Sequence, residues 1–118
     1  MPHEPGNSHT VYVVMSNDNK DLSDARRFGA LRAVFLNPRK PYDTDKLVAT
    51  ARAALSQWQR GDYLLMIGDP VLCGVCMAVL AESHGAVSTL SWDRLHIQYT
   101  AQTWEFDGHA GMPDYSED

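Results

Sequence analysis

The residues best placed for covalent chemistry are Cys73 and Cys76, in a Cys-Gly-Val-Cys run just after an apolar, strand-like segment. The pattern predicts a helix starting there, and a helix N-terminus would lower a thiol pKa, so the spacing suits a thiol oxidoreductase. Redox sites of this kind also place a cis-proline strand after the cysteine helix, and no proline occurs between Val71 and Met112. Two small residues buried on an apolar helix are the simpler reading. Gly68-Asp69-Pro70 lies at the carboxyl end of the preceding strand, where open α/β sheets bind ligands. A phosphate there would meet the Asp69 carboxylate, and neither a GxGxxG nor a GxxxxGK[ST] run is present. Helix capping by Asp69, with Pro70 in the first turn, accounts for these residues without a nucleotide.

His84, His96 and His109 lack the spacing that gathers histidines around a metal, and His84 suits the C-terminus of a helix. The Asp18 region lacks the glycine and glutamate of a calcium loop. No GxSxG run, and no serine or cysteine with an evident base, points to a hydrolase. The expectation is a non-enzymatic protein with no metal and no cofactor.

Charge and aromatic residues carry the remaining signal. The chain has a net charge of −5, but residues 20 to 52 hold eight cations against four carboxylates, giving +4 and leaving −9 for the rest. Such asymmetry marks either a polyanion-binding face or a salt-bridged surface. Tyr12, Tyr42, Trp58, Trp92, Tyr99 and Trp104 fall mainly on strands or element ends, with Arg39, Lys40 and Arg94 nearby in sequence. Single-stranded nucleic acid binders pair a cationic groove with aromatic faces on which bases stack. On that reading Arg26, Arg27, Arg32, Arg39 and Lys40 meet phosphates, and Tyr42 and Trp92 stack on bases. Trp58 belongs instead to the core, on the apolar stripe of its helix.

The elements that must position these residues follow from periodicity. Val11 to Met15 reads as a first strand, Leu22 to Ala30 as a short helical turn, and Ala33 to Leu36 as a second strand. From a cap at Asp43 or Thr44, Leu47, Val48, Ala51, Ala54, Leu55 and Trp58 recur at helical spacing. Tyr63 to Ile67, apolar throughout, reads as a central strand. A helix from Pro70, stopped by Gly85, leads to a strand over Val87 to Trp92. Asp93-Arg94 then turns the chain into an edge partner, Ile97 to Phe106. Strand, helix and strand in that order predict a right-handed crossover and a parallel pair.

The fold class is therefore α/β: a single domain with a mixed, mostly parallel sheet of about five strands and two main helices. The domain spans residues 11–106, between an N-terminal arm, 1–10, and an acidic tail, 107–118, and no internal repeat is present. The length of 118 residues suits one core. The longest near-apolar run, Val71 to Ala81, is 11 residues, short of the roughly 20 that cross a bilayer, so no membrane partner is expected. With two cysteines and no signal-peptide core, the chain reads as cytoplasmic. The helix from Pro70 is apolar nearly all the way round, and such a helix must be covered on every side. That predicts a homo-oligomer with this helix at the interface.

Asp21-Leu22-Ser23-Asp24-Ala25 with Phe28-Gly29, Asn37-Pro38, Asp62-Tyr63-Leu64-Leu65, Gly68 with Pro70, His84-Gly85, and Leu90 with Trp92-Asp93 form a pattern that runs from Val11 to Phe106. Together they resemble small accessory proteins of tailed bacteriophages. In size and in its acidic end the chain is also similar to a single-stranded-DNA-binding transcription cofactor of lytic phages. The resemblance implies an accessory protein in the host cytoplasm that binds single-stranded nucleic acid in support of transcription or replication, with a viral or host polymerase component as a further partner. A protein-interaction module that inhibits a host enzyme is the alternative from another class, and a thiol oxidoreductase is the third.

Overall fold

The computed structural model describes residues 9–15 and 21–106. Residues 1–8 of the expected arm, residues 16–20 and the acidic tail, 107–118, lie outside the described residues, while Thr10, at the end of the expected arm, opens the first strand. Five strands form one sheet: β1 (Thr10–Met15), β2 (Ala30–Phe35), β3 (Tyr63–Leu65), β4 (Ala86–Asp93) and β5 (Gln98–Glu105), in the spatial order β2-β1-β3-β4-β5. The first four are mutually parallel, and β5 pairs antiparallel with β4. Two α-helices, α1 (Thr44–Ala54) and α2 (Pro70–His84), and a 3₁₀ turn, Ser23–Phe28, complete the domain. This is the expected mixed α/β sheet.

Connections that run in opposite directions along a parallel sheet must use opposite faces if each is right-handed. The core is divided accordingly. Tyr12, Val14, Leu64 and Val87 face α1 and α2 and meet Leu47, Ala51, Leu55, Leu72, Cys76 and Leu80. Val11, Val13, Leu65 and Leu90 face the other way and are covered by Ala25, Leu22 and Phe28 of the 3₁₀ segment. Because both faces are covered, β1 and β3 show near-continuous apolar runs rather than alternation.

The helices start and stop where their caps predict. The Asp43 carboxylate accepts the Lys46 N–H at the start of α1. Asp69 accepts the Val71 N–H at the start of α2, Pro70 occupies its first turn, and Gly85 ends it at φ 75°, a left-handed position that costs glycine little.

Most strand ends differ from expectation by a residue, and three boundaries differ in ways that have a clear cause. β2 begins at Ala30 rather than Ala33, because its pairing with β1 starts at Thr10. β3 ends at Leu65 rather than Ile67 because, after the Met66 N–H makes the last bond to the Leu90 carbonyl, the Ile67 N–H turns back onto the Leu65 carbonyl and the chain leaves the sheet through Gly68. α1 ends at Ala54. Trp58 is buried as expected, but on the turn after the helix, 5.5 Å from the Tyr12 ring centroid.

α2 is half covered by its own chain. Leu72, Cys73, Cys76, Val79 and Leu80 are buried, whereas Val71 is 58% exposed and Gly74 and Ala78 also face outward. The demand for a covering partner thus shrinks to a narrow strip of mostly small side chains.

Asp62 holds the start of the sheet together. Its two carboxylate oxygens accept the Thr10 N–H at 2.9 Å and the Gln59 N–H at 2.8 Å, and the residue is 3% exposed. It therefore ties β1 to the loop that enters β3. Asp62→Ala leaves two donors without their acceptor, and chemical denaturation should show a loss of about 2 kcal/mol. Asp62→Asn, which keeps one acceptor oxygen, should lose about half as much.

Candidate functional site

The chain leaves β1 toward β2 on one side and reaches β4 from β3 on the other, so the order of connection reverses between β1 and β3. Open α/β sheets bind ligands outside the carboxyl ends of the strands at such a reversal. A crevice of about 830 Å³ lies there, lined by Asp21, Ser23, Asp24, Ile67, Gly68, Trp92, Arg94 and Tyr99 among others. Its volume falls within the roughly 300 to 1,000 Å³ of small-ligand sites. Gly68 is required at its floor. Its φ is +108°, and a Cβ there would stand 2.9 Å from the Met15 Cβ, so a larger residue would push β1 and the β3 exit apart.

The wall opposite Gly68 is built by a contact between distant parts of the chain. The Asp24 carboxylate accepts the Tyr99 N–H at 2.8 Å, and the Arg27 guanidinium donates to the Tyr99 carbonyl at 2.8 Å. Arg27 also bonds Asp24 at 3.2 Å and lies 4.2 Å from the Phe28 ring centroid. Held this way, Tyr99 is buried and packs edge-on against Trp92, with centroids 4.9 Å apart and planes at 70°. Trp92 is 46% exposed at the crevice, beside Arg94. The Tyr99 N–H holds the Asp24 carboxyl below the usual carboxylate range, and the Ser23 backbone does the same for Asp21. Both are therefore ionised at neutral pH. Burial, then Asp21 and Asp24, raise the Tyr99 phenol.

The residues expected at the site divide into groups. Arg39, Lys40 and Tyr42 share the loop between β2 and α1, where Arg39 and Tyr42 line a second, smaller cavity of about 400 Å³. The Tyr42 hydroxyl donates to Asp69 at 2.7 Å, and Lys40 Nζ lies 3.5 Å from the same carboxylate. Asp69 adjoins Gly68, so this loop and the crevice meet at the end of β3. Trp92 lies in the crevice. Arg26 is exposed on the 3₁₀ turn, and Arg32 is exposed on β2 in register with Tyr12. Arg27 is turned onto Tyr99. The described cations of residues 21–52 are thus spread over several surfaces rather than gathered in one patch.

Asp21 and Asp24 carried no signal as site residues in the sequence, and Tyr99 stood out only as one of several aromatics, because the bond between Asp24 and Tyr99 joins positions 75 apart in sequence. Arg94 carried one signal, its closeness in sequence to Trp92.

Cys73 and Cys76 are buried free thiols. Burial pushes the Cys73 thiol up, with a further rise from the Asp69 charge, and burial pushes Cys76 up to about 12. Desolvation thus outweighs the helix dipole, opposite to what a thiol nucleophile needs. A raised thiol pKa favours the folded state below the unfolded pKa of about 8.5, and this contribution fades as pH climbs toward the folded value. Between pH 8 and pH 10 the wild type should therefore lose about 2 kcal/mol more stability than Cys76→Ala, by denaturant melts at each pH.

Among the described residues no three His, Cys, Asp or Glu side chains cluster as metal ligands, and no helix is long and apolar enough to cross a membrane. No curated protein and no solved structure gives a significant match to the chain. Residues 9–105 match the family model described as Phage Pam3 gp32-like protein. The match includes every strand and helix of the domain and agrees with the resemblance to phage proteins. The chain belongs to the phage Pam3 gp32-like protein family.

Proposed function

We propose that this phage protein is a non-enzymatic accessory protein that holds unpaired nucleotides of a single nucleic acid strand in the crevice at the end of β3, in support of phage transcription or replication. One observation carries this reading: a half-exposed Trp92, braced edge-on by Tyr99, stands in a cavity of nucleotide-accommodating size beside Arg94. A base stacks on the free Trp92 face, an interaction worth about 1 to 3 kcal/mol. The Asp21 oxygen not bonded to Ser23 accepts from base N–H groups, while Arg94 and, from the adjoining loop, Arg39 meet phosphates. Arg27 and Lys40 are engaged by Asp24 and Asp69, so they add little to phosphate binding.

A second reading, docking of a host or viral protein, is favoured by the β4–β5 turn. There Leu95 is 82% and Ile97 73% exposed, and Ile97 has φ 52°, an unusual position for a β-branched residue. Asp93 holds this turn by accepting the Leu95 and His96 N–H groups.

Titration of a labelled single-stranded oligonucleotide separates the two. Nucleotide binding should quench tryptophan fluorescence, and Trp92→Ala should weaken it by about tenfold or more. With two phosphate contacts, the logarithm of affinity should fall against that of salt with a slope of about −1.4. Absence of binding at low salt, with one host protein retained from lysate through Leu95 and Ile97 after nuclease treatment, would favour the second reading.

A further inference from the structure

The outer edge of the sheet at β5 has a design that the crevice does not use. The Phe106 N–H bonds the Gly85 carbonyl, so in the antiparallel ladder the even-numbered residues of β5 point their backbone groups toward β4. The odd-numbered residues point theirs outward, as Tyr99 shows by giving both groups to Asp24 and Arg27. Ala101, Thr103 and Glu105 continue that outward row. All three are exposed, and among the described residues no other segment meets their backbone groups. Exposed edges are normally blunted by lysine, proline, a bulge or short length. β5 is eight residues long, pairs with β4 without a bulge, and is uncharged from Gln98 to Trp104.

We propose that this edge pairs with the β5 edge of a second copy, antiparallel about a two-fold axis at Thr103, to give one continuous ten-stranded sheet. The register follows from the blocked residue. Tyr99 is occupied, so the pairing must use Ala101, Thr103 and Glu105 alone. Centring on Thr103 sets Ala101 opposite Glu105 of the second copy and Thr103 opposite its equivalent. That arrangement meets every outward backbone group, places no like charges opposite each other, and joins two threonines in a favourable cross-strand pair. Trp104, 43% exposed with its indole N–H donated to Thr89, then lies diagonal to its own copy on the helix-bearing face, within reach of a large side chain. Phe106, 47% exposed, extends the apolar strip beside it.

Proline scanning of the full chain tests this, because the alternation gives neighbouring residues opposite outcomes. Thr103→Pro removes an N–H that points away from β4, a change an edge strand tolerates, so circular dichroism and thermal unfolding should stay near wild type. In sedimentation velocity, wild type should show twice the 13.2 kDa chain mass and Thr103→Pro should fall to half the wild-type value. Thr103→Cys should cross-link two copies under mild oxidation, since hydrogen-bonded antiparallel pairs stand about 5.5 Å apart between Cα atoms, within disulfide range. Thr100→Cys, facing a different partner position, should not. A monomeric wild type, whether its edge is open or covered by the chain's own C-terminal segment, overturns the proposal. A dimer that survives Thr103→Pro, as one formed through the exposed strip of α2 would, overturns it equally.

Discussion

For Tyr99, two side chains take the place of a neighbouring strand. Asp24 and Arg27, themselves paired, satisfy both backbone groups of a residue that would otherwise present them to solvent. This contact draws the start of β5 over the sheet face opposite the helices, where the 3₁₀ segment already covers Val11, Val13, Leu65 and Leu90. Without it that face would have a single short turn as its roof, and Trp92 would have no braced partner. The crevice at the end of β3 depends on this anchoring, which also occupies the first outward-facing residue of β5 and leaves the rest of its edge open.

The sheet belongs to a parallel α/β arrangement whose carboxyl ends gather loops from β1, β2, β3 and β4. Such a rim collects side chains from segments far apart in the chain, here Asp21 and Asp24 after β1, Gly68 after β3, and Trp92 and Arg94 at the β4 turn. Their chemistry is mixed: an aromatic face, a cation, and two ionised carboxylates, one neutralised by Arg27. The mixture suits a ligand with a flat apolar body, donors on its edge and a phosphate, better than a bare polyanion. The −5 net charge of the chain points the same way, because it opposes non-specific attraction to a polyanion.

Much of the fold was legible in the sequence because its signals are local. The Asp43 and Asp69 caps, Pro70, the stop at Gly85 and the turn at Asp93 each act within a few residues, and all lie where the pattern placed them. Trp58 fits the helical period of α1 yet sits beyond its end, since burial against Tyr12 fixes its position and not helix continuity. The site was less legible for a physical reason. Linear charge clusters become surface patches only if nothing inside the protein claims the charges, and Asp24 claims Arg27 while Asp69 claims Lys40. Likewise the apolar character of α2 predicted a covering partner, but a sequence does not reveal that β1, β4 and α1 already cover half of the helix.

The most direct test of this account is amide hydrogen exchange at Tyr99, read by NMR in the wild type and in Asp24→Ala. In the wild type the Tyr99 amide should exchange as slowly as the inner amides of the β4–β5 ladder, despite its place on the sheet's outer edge. Asp24→Ala should release it to rapid exchange and shift the Trp92 indole resonance, with the β1–β3 amides unchanged. Rapid exchange at Tyr99 in the wild type, or a Trp92 resonance indifferent to Asp24→Ala, would contradict the anchoring on which the crevice depends.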